Sequence, residues 1–222
     1  MENYTITIRT ISPLCLGSGQ ADVNVDADIV HDKYGLPYFP GKRLRGLLYE
    51  SALEVSEMAA LCGQPFLTQR TVDELFHHVS DSPVRLIIPD FHLPDYEKMI
   101  EDWQVLQTTF KDTIRPENVL DYYTSLRFQT AIDEKMGLDE KMGIAKDHSL
   151  RNIRVLNRGI TFKGTVSLIN ASEIHEQALA LALQNLRCAG TNRNRGFGQI
   201  ECEMDGQYAL VDQAFRKGGN NS

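Results

Sequence analysis

The stretch ITFKGTVSLI, Ile160–Ile169, alternates: Phe162, Val166 and Leu168 face one way, and Thr161, Lys163, Thr165 and Ser167 the other. A two-residue period over this length dictates a strand with one wet face and one face that must leave water. NYTITIRTI at the N-terminus does the same, with Tyr4, Ile6 and Ile8 set against Thr5, Thr7 and Arg9. Such a sheet needs an amphipathic cover. GKRLRGLLYESALEVSEMAAL provides one, with Leu44, Leu47, Leu48, Ala52, Val55 and Ala59 on one helical face. EIHEQALALALQNLRCAG provides another, opened by Ser172 and ended by Gly190 in a left-handed conformation. VRLIIPD, Val84–Asp90, reads as a buried strand and GQIECEM as the last one. The order is strand, helix, strand, insertion, strand, helix, strand. That predicts an α+β fold with a ferredoxin-like or RRM-like βαββαβ core, an antiparallel sheet and two helices on one of its faces.

The insertions have their own signals. A short helix is predicted from Thr71, where Thr71 and Glu74 have capping-box spacing. PDYEKMIEDWQVLQTTF and PENVLDYYTSL predict an inserted helical region over 91–126, the second helix opened by Pro116. DEKMGL followed at once by DEKMGI is too short for a solenoid and lengthens a loop or hairpin arm, Thr130–Leu150. Between the first strand and first helix lies an irregular loop with a small hairpin turning at DKYG. The tail, 217–222, reads as disordered, and residues 1–222 as a single domain.

The chain has 222 residues, 23 basic and 30 acidic, for a net charge of −7. That excludes a polyanion binder that is basic overall and leaves room for a local basic groove. No apolar run spans a membrane and the N-terminus lacks a signal peptide, which points to a cytoplasmic protein without membrane contact. Cys15, Cys62, Cys188 and Cys202 form no metal motif and read as reduced, buried thiols.

Three segments carry candidate chemistry. CAGTNRNRGFGQI, Cys188–Ile200, joins helix to strand. Gly190, Gly196 and Gly198 let main chain approach a ligand, Arg193 and Arg195 suit phosphates or bases, and Asn192 and Asn194 suit hydroxyls or base edges. The same composition also makes an ordinary solvated turn. PGKRLRG opens the first helix, so free N–H groups sit beside Lys42, Arg43 and Arg45, an arrangement that fits a phosphate backbone or a surface helix paired with carboxylates. Asp22, Asp26, Asp28 and Asp32 are either oxygen donors for Mg²⁺ or another divalent cation, or turn formers. His31 stands in that loop as a candidate general base. The adjacent His77 and His78 read as stabilising a helix end, and no nucleophile elbow or P-loop is present.

Together and in this order, these segments resemble the RAMP superfamily of CRISPR-associated proteins. GTNRNRGFGQI is similar to that superfamily's glycine-rich loop. DIVHDKYGLPYFPGKRLRGLLYESALE is similar to the stretch in which a GLPYIPGSSLKG-type segment opens the first helix. VRLIIPDFHL resembles the following core strand, and TAID…KMGIAKDHSLRNIRVLNRGITFKG the inserted arm and next strand. Within the superfamily the chain most resembles the Cas7-like backbone subunit of type III effector complexes. The resemblance implies a palm with a basic groove for guide RNA, copies of the chain in a filament, other CRISPR effector subunits as partners, and a thumb-like arm that distorts the guide–target duplex. Met136, Met142 and Ile144 would be its apolar wedges. It also implies metal-dependent cleavage of target RNA by a loop aspartate. VDADIVHD aligns with the family's IDNPVIRD-like context, which carries that role to Asp26; Asp28 stands where the family often has Pro and His31 where it often has Arg.

Three other readings stay open: a structural RNA scaffold without chemistry, a metal-independent guide-processing endoribonuclease using His31, and a ferredoxin-like domain unrelated to RNA.

Overall fold

The computed structural model describes residues 1–19, 27–63, 66–76, 79, 81–110, 113–129 and 151–219. In chain order the elements are β1 (Glu2–Thr10), α1 (Gly41–Leu61), α2 (Gln69–Leu75), β2 (Arg85–Ile87), α3 (Tyr96–Thr109), α4 (Pro116–Tyr123), β3 (Thr124–Gln129), β4 (Arg151–Leu156), β5 (Thr161–Ile169), α5 (Glu173–Asn185), β6 (Ile200–Met204) and α6 (Gln207–Gly219). The main sheet has the spatial order β2-β5-β1-β6, and every neighbouring pair is antiparallel. With α1 between β1 and β2 and α5 between β5 and β6, the connectivity is βαββαβ.

The alternation read in the sequence sets the register. Ile8 lies opposite Phe162 on β5 and Cys202 on β6, and all three are buried. Leu44, Leu48, Ala52, Val55 and Ala59 of α1 are buried, and each large apolar side chain so enclosed contributes roughly 1.5–3 kcal/mol. Leu47, expected on that face, is only half-buried. The opposite face of β1, β5 and β6 exposes Thr5, Arg9, Lys163, Thr165, Glu201 and Glu203, with no aromatic ring among them. Bases therefore have no stacking platform on these strands, unlike an RRM sheet.

Several expectations need correction. Helix α2 starts before Thr71: Thr68 is its cap, its hydroxyl accepting from the Thr71 N–H at 3.3 Å, and Glu74 pairs with Arg70 at 2.9 Å instead of closing a capping box. Helix α5 ends at Asn185, not at Gly190. Beyond it the chain turns extended and pairs with the approach to β6, the Ala189 N–H donating to the Gly198 carbonyl and the Ile200 N–H to the Arg187 carbonyl. The strand at Val84–Asp90 shortens to Arg85–Ile87. Helix α6 is new; it packs on α5, burying Val211 and Ala214, and runs into the first three residues of the expected tail, while 220–222 lie outside the described residues. The four cysteines are free, but Cys62 is exposed and Cys188 half-buried; burial and the nearby Glu201 push the Cys202 thiol up to about 12.

The hairpin at DKYG is present. The Asp32 carboxylate accepts from the N–H groups of Tyr34 and Leu36, and the Tyr96 hydroxyl donates to its other oxygen at 2.7 Å. Strands β3 and β4 form a separate two-stranded ribbon. Its connection, 130–150, which carries the tandem repeat and Met136, Met142 and Ile144, lies outside the described residues. So do His77 and His78.

Candidate nucleic-acid interface

The glycine-rich loop folds back on its own scaffold. Gly190 has φ +75°, and a Cβ there would meet the Cys15 carbonyl oxygen at 2.4 Å; at Gly198, φ +82°, it would meet the Ala189 carbonyl oxygen at 2.2 Å. Both glycines therefore serve close approach of protein backbone to protein backbone. Gly196, at φ +80°, faces open space. Hydrogen bonds from the Thr191 N–H to the Cys15 carbonyl and from the Gly198 N–H to the Pro13 carbonyl pin the loop to the segment after β1. What projects is a single 3₁₀ turn, Arg193–Arg195, preceded by Asn192 in the left-handed conformation. Arg193 and Arg195 are exposed and Asn192 is half-buried; the side chain of Asn194 is outside the description.

The start of α1 resolves the unfavourable charge of its first turn. The Gly41 N–H donates to the Asp90 carboxylate at 2.8 Å, so an acid from a distant segment meets the positive end of the helix. This corrects the expectation that all the first N–H groups are open to a phosphate. It also divides the three basic residues. Arg45 turns inward and donates to the carbonyls of Leu86 and Phe76, both at 2.8 Å, and its desolvation lowers its pKa from the ordinary guanidinium value. Arg45 is thus withdrawn from the RNA-binding set: it ties α1 to β2 and to the end of α2. Lys42 and Arg43 are exposed. A guanidinium nitrogen of Arg43 donates to the Gly17 carbonyl, which leaves it further N–H donors for a ligand.

Arg43 and Arg193 meet at one groove of about 650 Å³. Arg43, Gly46, Leu47 and Glu50 form one wall, a stripe at helical spacing on the side of α1 away from its core face. Gly190, Thr191 and Arg193 form another. Cys15, Leu16, Gly17 and Gly19 run between them, and Ala27 and Asp28 of the acidic loop complete the lining. Lys42 is next to Arg43 in sequence and Arg195 is two residues from Arg193, but neither is in the lining. The groove thus runs beside helix α1 and two loops, not across the exposed sheet face.

The acidic loop lies against the base of the arm. Ala27 bridges Ile153 of β4, Gly17 bridges Ile29, and Cys15, Ile153 and Val155 make a small buried cluster flanked by Ala27 and Phe197. Asp28 is 3.1 Å from Arg154, and Asp32 is committed to its turn and to Tyr96. Of the four loop aspartates, Asp22 and Asp26 lie outside the described residues, although Gly19 and Ala27, the described residues on either side, both line the groove. Among the described residues no group of three His, Cys, Asp or Glu side chains is arranged to hold a metal ion. The described carboxylates of this loop therefore do not fit a divalent site by themselves. His31 sits on the same loop, its Nδ1 2.8 Å from the Asp32 carbonyl and its Nε2 3.7 Å from Asp28. Arg154, Leu47, Thr191 and the Cys15–Gly19 segment were missed in the sequence; the i, i+4 spacing of Arg43 and Leu47 was a legible hint, whereas Arg154 in LRNIRVLNRG carries no local signal.

Among the described residues no helix is long and apolar enough to cross a membrane. A search of curated proteins found no match. Solved chains that share the fold include two from Type III-B Cmr-beta. One, from a cryo-EM structure of the Type III-B Cmr-beta bound to cognate target RNA, is 12% identical with a TM-score of 0.61, covering 95% of this chain and 99% of that one. The other, from the apo state of Type III-B Cmr-beta, is 11% identical with a TM-score of 0.60, covering 91% and 96%. The family model of the RAMP superfamily matches residues 7–201, a span that runs from β1 into β6 and takes in every segment lining the groove. The chain belongs to the RAMP superfamily.

Proposed function

We propose that this protein is the backbone subunit of a type III CRISPR effector complex. In this reading it holds guide RNA at the groove, stacks with copies of itself and with other effector subunits, and cleaves target RNA paired to the guide. The observation that carries the reading is the meeting of Arg43 and Arg193, from distant parts of the sequence, in one groove that also receives the acidic loop. Two cations on neighbouring walls suit a phosphate backbone, and the net charge of −7 then belongs to other surfaces. Superfamily membership and a fold shared with chains of a complex bound to cognate target RNA support the same assignment.

The proposed chemistry is transesterification. The 2′-hydroxyl of the target gives up its proton to a base and attacks the adjacent phosphate, an O2′–P bond forms as the P–O5′ bond breaks, and the departing 5′-oxygen takes a proton, leaving a 2′,3′-cyclic phosphate and a 5′-hydroxyl. The protein's part is to hold the nucleotide in line, with the arm splaying the duplex and Asp26 as the carried-over catalytic carboxylate. A divalent cation stays in the proposal through Asp26 alone, since Asp28 and Asp32 are engaged elsewhere. The test is purification with the neighbouring subunits and cleavage of a guide-complementary RNA, with and without Mg²⁺. Asp26→Ala should abolish cleavage and spare RNA binding. Cleavage equal to the parent would reduce the chain to a scaffold.

A second reading has its own observation. His31 lies beside Asp28 with its Nδ1 held by a carbonyl, an arrangement that leaves Nε2 able to accept a proton. Cleavage that survives EDTA and is lost in His31→Ala would establish that metal-independent route.

A further inference from the structure

The base of the arm and the acidic loop meet at two points, the main chain of Ala27 bridging Ile153 and the Asp28 carboxylate facing one side chain, Arg154. Arg154 stands on β4, the strand that leads out of the arm, and only 13% of its side chain is exposed. Its main-chain N–H donates to the Ala27 carbonyl at 3.0 Å. Its guanidinium lies 3.1 Å from the Asp28 carboxylate and donates to Asp121 of α4 at 2.5 Å and to the Thr124 hydroxyl of β3 at 3.0 Å. Asp28 is fixed in turn: its side chain accepts from the Ile29 N–H at 2.8 Å and its carbonyl from the Ser18 N–H at 2.7 Å. The contact to Asp28 is an ion pair made by Nε without hydrogen-bond geometry, whereas that to Asp121 is a hydrogen bond from Nη1, so the guanidinium links the two carboxylates by charge and by one directed bond. Asp28 is two residues from Asp26 in sequence and lines the groove.

We infer that Arg154 is a positioning residue that fastens Ala27 and Asp28, the described end of the acidic loop, to the arm base and so holds them in the groove lining. The inference rests on the proposed cleavage function for its consequence, but the anchor is measurable without it. Loss of the anchor acts on geometry, and a displacement on the order of 1 Å at a reacting centre costs about 10²-fold in rate.

The experiment compares Arg154→Gln, Arg154→Lys, Asp28→Asn and the Arg154→Gln/Asp28→Asn double variant in the assembled complex. Arg154→Gln should lower the single-turnover cleavage rate by about 10²-fold while target affinity changes less than about twofold, Arg154→Lys should recover part of the rate, and the double variant should be no slower than the slower single one. Amide exchange followed by mass spectrometry should accelerate in Arg154→Gln in the peptides that contain the Ser18 and Arg154 N–H groups. Parent-level cleavage in Arg154→Gln, or strictly additive losses in the double variant, would overturn the positioning role. Unchanged exchange at both peptides would overturn the anchor itself. A parent complex that does not cleave would defeat the functional reading, and the exchange result alone would then decide the anchor.

Discussion

Removing Arg43 and Arg193 together separates an RNA groove from a merely basic surface. Both side chains line the groove, and each that neutralises one phosphate of a single strand adds about 0.7 to the slope of log K against log salt. Arg43→Ala with Arg193→Ala should therefore flatten the slope by about 1.4. Between 50 and 200 mM salt, a factor of 4 or about 0.6 log units, the deficit against the parent should shrink by roughly sevenfold. The assay is fluorescence anisotropy of labelled guide RNA bound by the subunit with its neighbours, over a KCl series. Arg45→Ala is the internal contrast. Its guanidinium donates to two carbonyls inside the fold, and losing two charge-assisted hydrogen bonds costs on the order of 3 kcal/mol, or roughly 6–12 °C in Tm for a chain of this size. Its salt slope should stay that of the parent. Parallel parent and double-variant lines, or equal flattening by Arg45→Ala, would refute the placement of RNA in this groove.

Two stability measurements bear on the same site. Gly198→Ala forces a Cβ to within 2.2 Å of the Ala189 carbonyl at φ +82°, so it should lose more than the roughly 1–2 kcal/mol that left-handed strain alone costs, whereas Gly196→Ala, in open space, should lose about that strain only; equal urea midpoints would contradict the geometry. Burial, then the hydrogen bond and charge of Asp32, push the Tyr96 hydroxyl from its ordinary 10.0 up to about 12. The neutral phenol is the form the fold favours, so its contribution is complete below pH 10, declines above it and is lost as pH rises through about 12. Parent stability should therefore fall more steeply than that of Tyr96→Phe in this alkaline window, and superimposable profiles would remove the Tyr96–Asp32 link.

Legibility followed the range of the physics. The strands β1 and β5 and the helix α1 are written in periods of two and 3.6, and the turn at DKYG in an aspartate and a glycine; all four stand where local chemistry puts them. Helix α5 was overextended because Leu186–Gly190 is neutral as to state until β6 offers it partners. Helix α6 was overlooked, yet residues 178–183 of α5 are buried all round, and a helix apolar on every side requires a second cover. The candidate site divides likewise. The two basic segments were recognisable, but Arg154 required the contact between β4 and the acidic loop to acquire a role.

The sequence by itself determined the α+β core, its order of elements and the presence of basic, glycine-rich and acidic segments in a fixed succession. Even the phase of α1 was available: at 100° per residue, Arg45 falls about 70° from the centre of the apolar stripe Leu44, Leu47, Leu48, Ala52, Val55 and Ala59, and Arg43 about 130° from it. Only the tertiary structure decided which partners those directions meet. The carbonyls of Phe76 and Leu86 arrive on one side, Gly17 and the glycine-rich loop on the other. Local periodicity is a property of neighbours in the chain, whereas a groove is made by segments that share space only after the core has closed.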